Sequence, residues 1–168
     1  MRNVVLVGFM GTGKTRLAKI LSEKLNMKYI STDGLIEERE KTTIADIFSA
    51  KGEAYFRKIE KQVIKDVSCV ENAVIDTGGG AVMDSENLKN LKKNGVVVCL
   101  RTEPRIILER TKKYAHRPLL NVADPLEKIK KLLEIRKPFY EQADHHLNTS
   151  AMSAEEAAIA IQGIIKNA

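Results

Sequence analysis

Apolar residues in this 168-residue chain fall into two alternating patterns. Short unbroken apolar stretches stand at Val4-Val5-Leu6-Val7, Tyr29-Ile30, Val74-Ile75 and 96–100. Their length and β-branched content predict buried strands. Between them, apolar positions recur every three or four residues, the spacing of one helix face. Leu17, Ile20, Leu21 and Leu25 predict a helix over 14–25. A charged helical segment follows at 33–40, and a Thr43-x-x-Asp46 start signal opens another at 43–50. Gly52 then begins a long amphipathic helix to about residue 70, carrying Phe56, Ile59, Val63, Ile64 and Val67. Helices are also expected over 85–93, from Pro104, a residue favoured in a first turn, and over 125–143. His146-Leu147 is a weak last strand, and Ser153-x-x-Glu156 caps a terminal helix of Ala157, Ile161, Ile164 and Ile165.

Strand and helix alternate to the end, which predicts an α/β fold: a parallel sheet with helices on both faces, in a single domain over 1–168. The stretch 112–124 lacks apolar periodicity and exceeds an ordinary connection, so it is expected to be a lid or binding loop.

Composition changes this picture little. The net charge is +6, from 28 Lys+Arg against 22 Asp+Glu. That excess raises the question of nucleic acid, but lysines are interleaved with acids along helix faces and no nucleic-acid module is visible. A cleft for an anionic small molecule accounts for it better. No stretch approaches a membrane span, and the chain enters its first strand without a signal-peptide pattern, so a cytoplasmic protein with no membrane partner is expected. Cys69 and Cys99 lack metal-site spacing and read as small buried hydrophobes, unpaired in that compartment. His145 and His146 are adjacent, so on a strand they face opposite ways and share no metal. His116 reads as a solvated lid residue.

The most informative segment is Gly8-Phe9-Met10-Gly11-Thr12-Gly13-Lys14-Thr15, which fits G-x-x-x-x-G-K-[ST] between a strand and a helix. Glycines allow a tight nest of N–H groups around phosphate oxygens, and the following helix adds its positive end. Gly11, Thr12, Gly13, Lys14 and Thr15 are therefore candidate ligands of a nucleoside triphosphate. Lys14 would reach the β- and γ-phosphates, and Thr15 would offer its hydroxyl to Mg2+. The alternative is a glycine turn that binds nothing.

Other candidates are less specific alone. Asp33, after Ser31-Thr32, stands at the carboxyl edge of the sheet, where it reads equally as a ligand-binding carboxylate or a helix N-cap. Arg57 shares a helix face with Glu53 and Glu60, which by itself describes a solvated salt-bridge ladder. Gly78-Gly79-Gly80 suggests backbone in close approach to a ligand. Arg117, in the presumed lid, would swing over the phosphates, and Arg136 lies on the helix that follows.

Taken together, these positions resemble shikimate kinase over nearly the whole chain. The resemblance rests on 8–15, Thr32-Asp33, Ala45-Asp46-Ile47-Phe48, Gly52-Glu53 with Phe56-Arg57, Thr77-Gly78-Gly79-Gly80, Arg117-Pro118-Leu119-Leu120, and Arg136 with Pro138 and Tyr140. It implies a P-loop kinase fold around a five-stranded parallel sheet, with a lid near 112–124 and a substrate-binding segment near 33–61. The implied reaction moves the γ-phosphate of ATP to the 3-hydroxyl of shikimate, on the route to chorismate and aromatic amino acids. Carried over by position, Asp33, Arg57, Gly78, Gly79, Gly80 and Arg136 bind shikimate. Asp33, Lys14 and Arg117 serve catalysis, Arg110 packs on adenine, and Glu53 and Glu60 orient Arg57. The expected partners are ATP with Mg2+ and shikimate, acting on a monomer.

Two positions depart from the family pattern. Ser31 stands where an Asp of a D-x-D pattern helps hold the magnesium shell, and Asn148-Thr149-Ser150 replaces an Asp-Thr adenine loop with a later proline. Asp76, ending the neighbouring strand, is a candidate to replace the missing carboxylate through water, with Ser31 beside it; the alternative is a turn cap. Besides shikimate kinase, another small-molecule kinase on this scaffold and a nucleotide-binding regulator without turnover remain as readings.

Overall fold

A computed structural model describes residues 2–113 and 121–166. Five strands, β1 (Asn3–Gly8), β2 (Lys28–Ser31), β3 (Ala73–Asp76), β4 (Gly95–Arg101) and β5 (His145–Asn148), form one sheet in the order β2-β3-β1-β4-β5. Every pairing is parallel. Seven helices connect them among the described residues: α1 (Lys14–Leu25), α2 (Thr32–Glu40), α3 (Ile44–Val67), α4 (Ser85–Asn94), α5 (Pro104–Lys112), α6 (Pro125–Tyr140) and α7 (Ala154–Lys166). None is long and apolar enough to cross a membrane.

The strand alternation divides the core. Val5, Val7, Ile75, Val97 and Cys99 meet Phe56, Val63, Ile64, Leu88 and Ile129 on one face. Val4, Leu6, Val74, Val98 and Leu100 meet Leu17, Leu21 and Ile161 on the other. Because helices cover both faces, β1 and β3 are buried at every residue, and this explains unbroken apolar runs where a one-sided sheet would alternate. Successive strands lie on one side of β1 and then on the other. Open α/β sheets bind ligands where the connections diverge in this way, beyond the strands' carboxyl ends.

The predicted local signals operate as hydrogen bonds. Thr43 Oγ1 accepts from the Asp46 amide at 3.1 Å. Ser153 and Glu156 cap α7 reciprocally, at 3.1 and 2.7 Å. Gly52 interrupts α3 with φ 81° and ψ 172°, so the helical path turns at this residue. Such a backbone is essentially restricted to glycine. Three expectations need correction. The long helix ends at Val67 and α6 at Tyr140, three residues early in each case, where the chain turns out of the helix. Cys69 is exposed, since it follows the last turn of α3 on the solvent side, with its thiol 3.5 Å from the Lys65 carbonyl; only Cys99 is buried. The centre of the expected lid, including His116 and Arg117, lies outside the described residues.

Candidate active site

The loop between β1 and α1 takes its shape from three left-handed glycines, Gly8 (φ 138°), Gly11 (77°) and Gly13 (93°). A Cβ on Gly8 would stand 2.5 Å from the Leu100 carbonyl oxygen, so β1 and β4 could not close at this point. No side chain caps α1, which leaves its first N–H groups turned toward the loop, a ready anion site. Lys14 is buried and donates from Nζ to the carbonyls of Gly8 (2.8 Å) and Phe9 (2.9 Å). Thr15 Oγ1 donates to Asp76 Oδ2 at 2.6 Å. A cleft of about 710 Å3 opens here, with Lys14, Thr15, Asp33, Asp76, Gly79 and Arg110 among its walls.

Strand register explains why Asp76 is present: it pairs with Ser31 across β3 and β2, so the two residues end at one edge. Burial pushes the Asp76 carboxyl above the usual carboxylate range, while the Thr15 hydrogen bond and the Lys14 charge pull it down. A hydroxyl and a carboxylate oxygen are the hard donors Mg2+ takes. Among the described residues no group of three or more His, Cys, Asp or Glu could hold a metal. The Thr15 hydroxyl beside the Asp76 carboxylate suits an ion that takes one or two protein oxygens and completes its shell with water and phosphate. Tyr29, which sequence reasoning missed, adds its hydroxyl 3.4 Å from Asp76 Oδ2.

The N-cap alternative for Asp33 is overturned. Ser31 is the residue that caps α2, its Oγ accepting from the Gly34 amide at 3.1 Å. Asp33 is thereby released into the site, where Oδ1 is buried without a partner among the described residues. Burial raises its pKa, Lys14 opposes this, and the nearby Asp76 charge adds to it.

Arg57 is not simply part of a solvated ladder. Its guanidinium is 2.6 Å from Glu60, whose side chain is 1% exposed, and 3.5 Å from Glu53, which is 68% exposed. Glu60 is the partner that orients Arg57, and Glu53 contributes from solvent. Burial raises the Glu60 pKa against the opposing pull of Arg57.

The glycine run is explained by side chains as much as by backbone. A Cβ on Gly78 would stand 2.8 Å from Asp33 Oδ1 and 3.0 Å from Glu60 Oε1. On Gly80 it would lie 2.5 Å from an Arg57 nitrogen, and on Gly79 it would lie 3.5 Å from Arg136 Nη1. Gly78 and Gly80 make room for Asp33 and Arg57, and Gly79 stands at ordinary contact distance from Arg136, so the three candidates converge on one short segment beside the phosphate loop. Arg136 is buried and lies with Cζ 5.3 Å from the Phe9 ring centre, within reach of a cation–π contact. Arg110 reaches the carbonyls of Gly11 (3.4 Å) and Thr149 (3.2 Å), joining the phosphate loop to the segment after β5.

The family model of shikimate kinase matches residues 10–166. This chain belongs to the shikimate kinase family. The shikimate kinase of Thermodesulfovibrio yellowstonii is 46% identical over 158 residues, spanning 94% of this chain and 91% of the relative. Among solved structures, shikimate kinase from Acinetobacter baumannii in complex with shikimate superposes with a TM-score of 0.95 at 36% identity, covering 99% of this chain and 94% of that one. Shikimate kinase from Aquifex aeolicus vf5 gives 0.86 at 38%, covering 98% and 96%. As a shikimate kinase, the chain has the expected P-loop fold with its five-stranded parallel sheet. One residue that touches the glycine run received no role from the sequence: Tyr140, whose hydroxyl donates to the Gly79 carbonyl at 2.6 Å. Its position four residues after Arg136, on the same helix face, was the available signal.

Proposed function

We propose that this chain transfers the γ-phosphate of ATP to the 3-hydroxyl of shikimate, giving shikimate 3-phosphate on the route to chorismate and aromatic amino acids. The observation that carries this reading is the convergence of Asp33, Arg57 and Arg136 on Gly78–Gly80, beside Lys14 and Thr15. Shikimate is a small ring with one carboxylate and three hydroxyls. Two guanidiniums suit the carboxylate through charge-assisted hydrogen bonds. An unpartnered carboxylate oxygen and glycine amides suit the hydroxyls.

Under this proposal Gly11, Thr12 and Gly13 wrap the phosphates, Lys14 moves from the loop carbonyls to phosphate oxygens, and Arg110 borders the adenine. Arg117 takes a place over the phosphates on the sequence match alone. Thr15 would hold Mg2+ directly, with Asp76, and Ser31 beside it, acting through water. When bound, the ion supplies charge neutralisation across the β- and γ-phosphates. Asp33 accepts hydrogen bonds from ring hydroxyls and orients the 3-hydroxyl, taking its proton as the oxygen bonds to the γ-phosphorus and the bond from that phosphorus to the bridging oxygen breaks, releasing ADP. Phosphoryl transfer depends chiefly on positioning and charge stabilisation, so the cations carry most of the acceleration. We assign the activity to a monomer in the cytoplasm, with neither nucleic acid nor membrane as partner.

A coupled ADP-release assay over a panel of hydroxylated acids tests the reading. Turnover with shikimate well above gluconate and quinate is expected. ATP binding without turnover of any acid would overturn it.

A further inference from the structure

The carbonyls of the glycine run all accept hydrogen bonds from within the protein. Gly78 accepts from the Ala81 amide and Gly80 from the Met83 amide, each at 3.1 Å. Those two bonds are local turns. Gly79 differs: its carbonyl accepts from the Tyr140 hydroxyl, sixty-one residues away on α6, at 2.6 Å. Tyr140 is 6% exposed, and burial pushes its phenol up to about 12, against the pull of the neighbouring Arg136 guanidinium. The phenol therefore keeps its proton, and remains a donor, at neutral pH.

The bond fixes more than one atom. In a trans peptide the C=O of one residue and the N–H of the next point in opposite directions. Holding the Gly79 carbonyl toward α6 turns the Gly80 N–H the other way. A glycine peptide has no Cβ to resist rotation, so an external restraint sets its orientation. The same helix carries Arg136 one turn earlier, with Nη1 3.5 Å from the position of a Gly79 Cβ. That position is also 3.5 Å from the Gly8 carbonyl and 3.4 Å from the Met10 amide of the phosphate loop. Gly79 is thus enclosed by α6 and the phosphate loop, and Tyr140 supplies the directional contact.

We propose that Tyr140 is a positioning residue for the acceptor substrate: its hydroxyl clamps the Gly79–Gly80 peptide and holds it in register with Arg136, so that amide and guanidinium meet one ligand together. This rests on the shikimate reading above. It implies a side-specific effect, on the hydroxy acid and not on the nucleotide.

Tyr140→Phe removes the donor and keeps the ring. Calorimetric titration with shikimate and separately with ATP, beside a thermal melt, reads the outcome. Loss of one buried hydrogen bond should weaken shikimate about tenfold, with ATP affinity changed less than about twofold. Ile161→Val, which trims the buried face of α7 in the opposite core, serves as a control for general destabilisation. Equal weakening of both ligands, unchanged shikimate affinity, or the same selective loss in Ile161→Val would overturn the proposal. If Tyr140→Phe does not fold, the unmodified enzyme decides: the Gly80 amide resonance must move with shikimate and stay in place with ATP, and any other result overturns the clamp. Failure of the unmodified protein to bind shikimate would instead overturn the functional reading.

Discussion

Thr15 and Asp76 are joined by a 2.6 Å hydrogen bond between the first turn of α1 and the carboxyl end of β3. The contact places a carboxylate against the residue whose hydroxyl is assigned to Mg2+, on the strand beside the one that ends in Ser31. Asp76→Ala should raise the Mg2+ concentration needed for half-maximal activity about tenfold, the equivalent of about 1.4 kcal/mol. Ser31→Asp in the same background should restore most of it. Titration of the single and double variants with Mg2+ checks this, and an unchanged requirement in Asp76→Ala would remove the role.

Arg57 and Arg136 approach the glycine run from different helices, and both are assigned to the substrate carboxylate. Truncating either to Ala should lower kcat/KM for shikimate by about 2–5 kcal/mol, the effect of removing one partner of a desolvated charge pair. A melt taken alongside separates this from unfolding. Near-native activity in either variant would cancel its assignment.

Asp33 allows a test in which stability and activity move in opposite directions. Its folded pKa is raised by burial, so in the ligand-free protein its contribution to stability is fully present below the ordinary Asp value and is lost as pH rises through the folded value. Asp33→Asn should therefore melt higher than the parent near neutral pH, and the gap should close on acidification below the range of an ordinary Asp. Activity should fall by about 10²–10⁴-fold, the range of a lost general base. A variant that melts lower at neutral pH would contradict the burial account.

Gly80→Ala tests the glycine run itself. The added methyl would stand 2.5 Å from an Arg57 nitrogen, the far end of a flexible side chain that can give way. The fold should survive while the guanidinium is displaced. An increase of about tenfold or more in KM for shikimate is expected, because small misplacements of a positioning group are costly in rate and binding. KM for ATP should hardly change, and parallel increases in both would refute the cradle.

Most of this architecture was legible in the chain because its signals are local. Short β-branched runs mark strands buried on both faces, and Thr43, Gly52 and Ser153 mark helix boundaries by chemistry confined to a few neighbouring residues. The phosphate loop is local as well, since its function resides in consecutive glycines, a lysine and a threonine. Where local signals were ambiguous, the reading stayed open or erred. Asp33 and Ser31 both suit an N-cap, and only the structure shows that Ser31 takes the role and frees Asp33. Cys69 sits among apolar residues in the chain, yet its place after the last turn of α3 puts it in solvent.

The sequence by itself determined the order of elements, the parallel α/β class and the phosphate loop, because backbone propensity and hydrophobic period act over one element at a time. Tertiary structure decided which residues meet. Parallel register brought Asp76 beside Ser31, and helix packing set Glu60 rather than Glu53 as the buried partner of Arg57. It also carried the Tyr140 hydroxyl to the Gly79 carbonyl. Ser31 and Asp76, like Gly79 and Tyr140, are tens of positions apart, and the burial that separates Glu60 from Glu53 is set by what packs on the helix, so no local pattern encodes these contacts; they form only when the helices close on the two faces of the sheet.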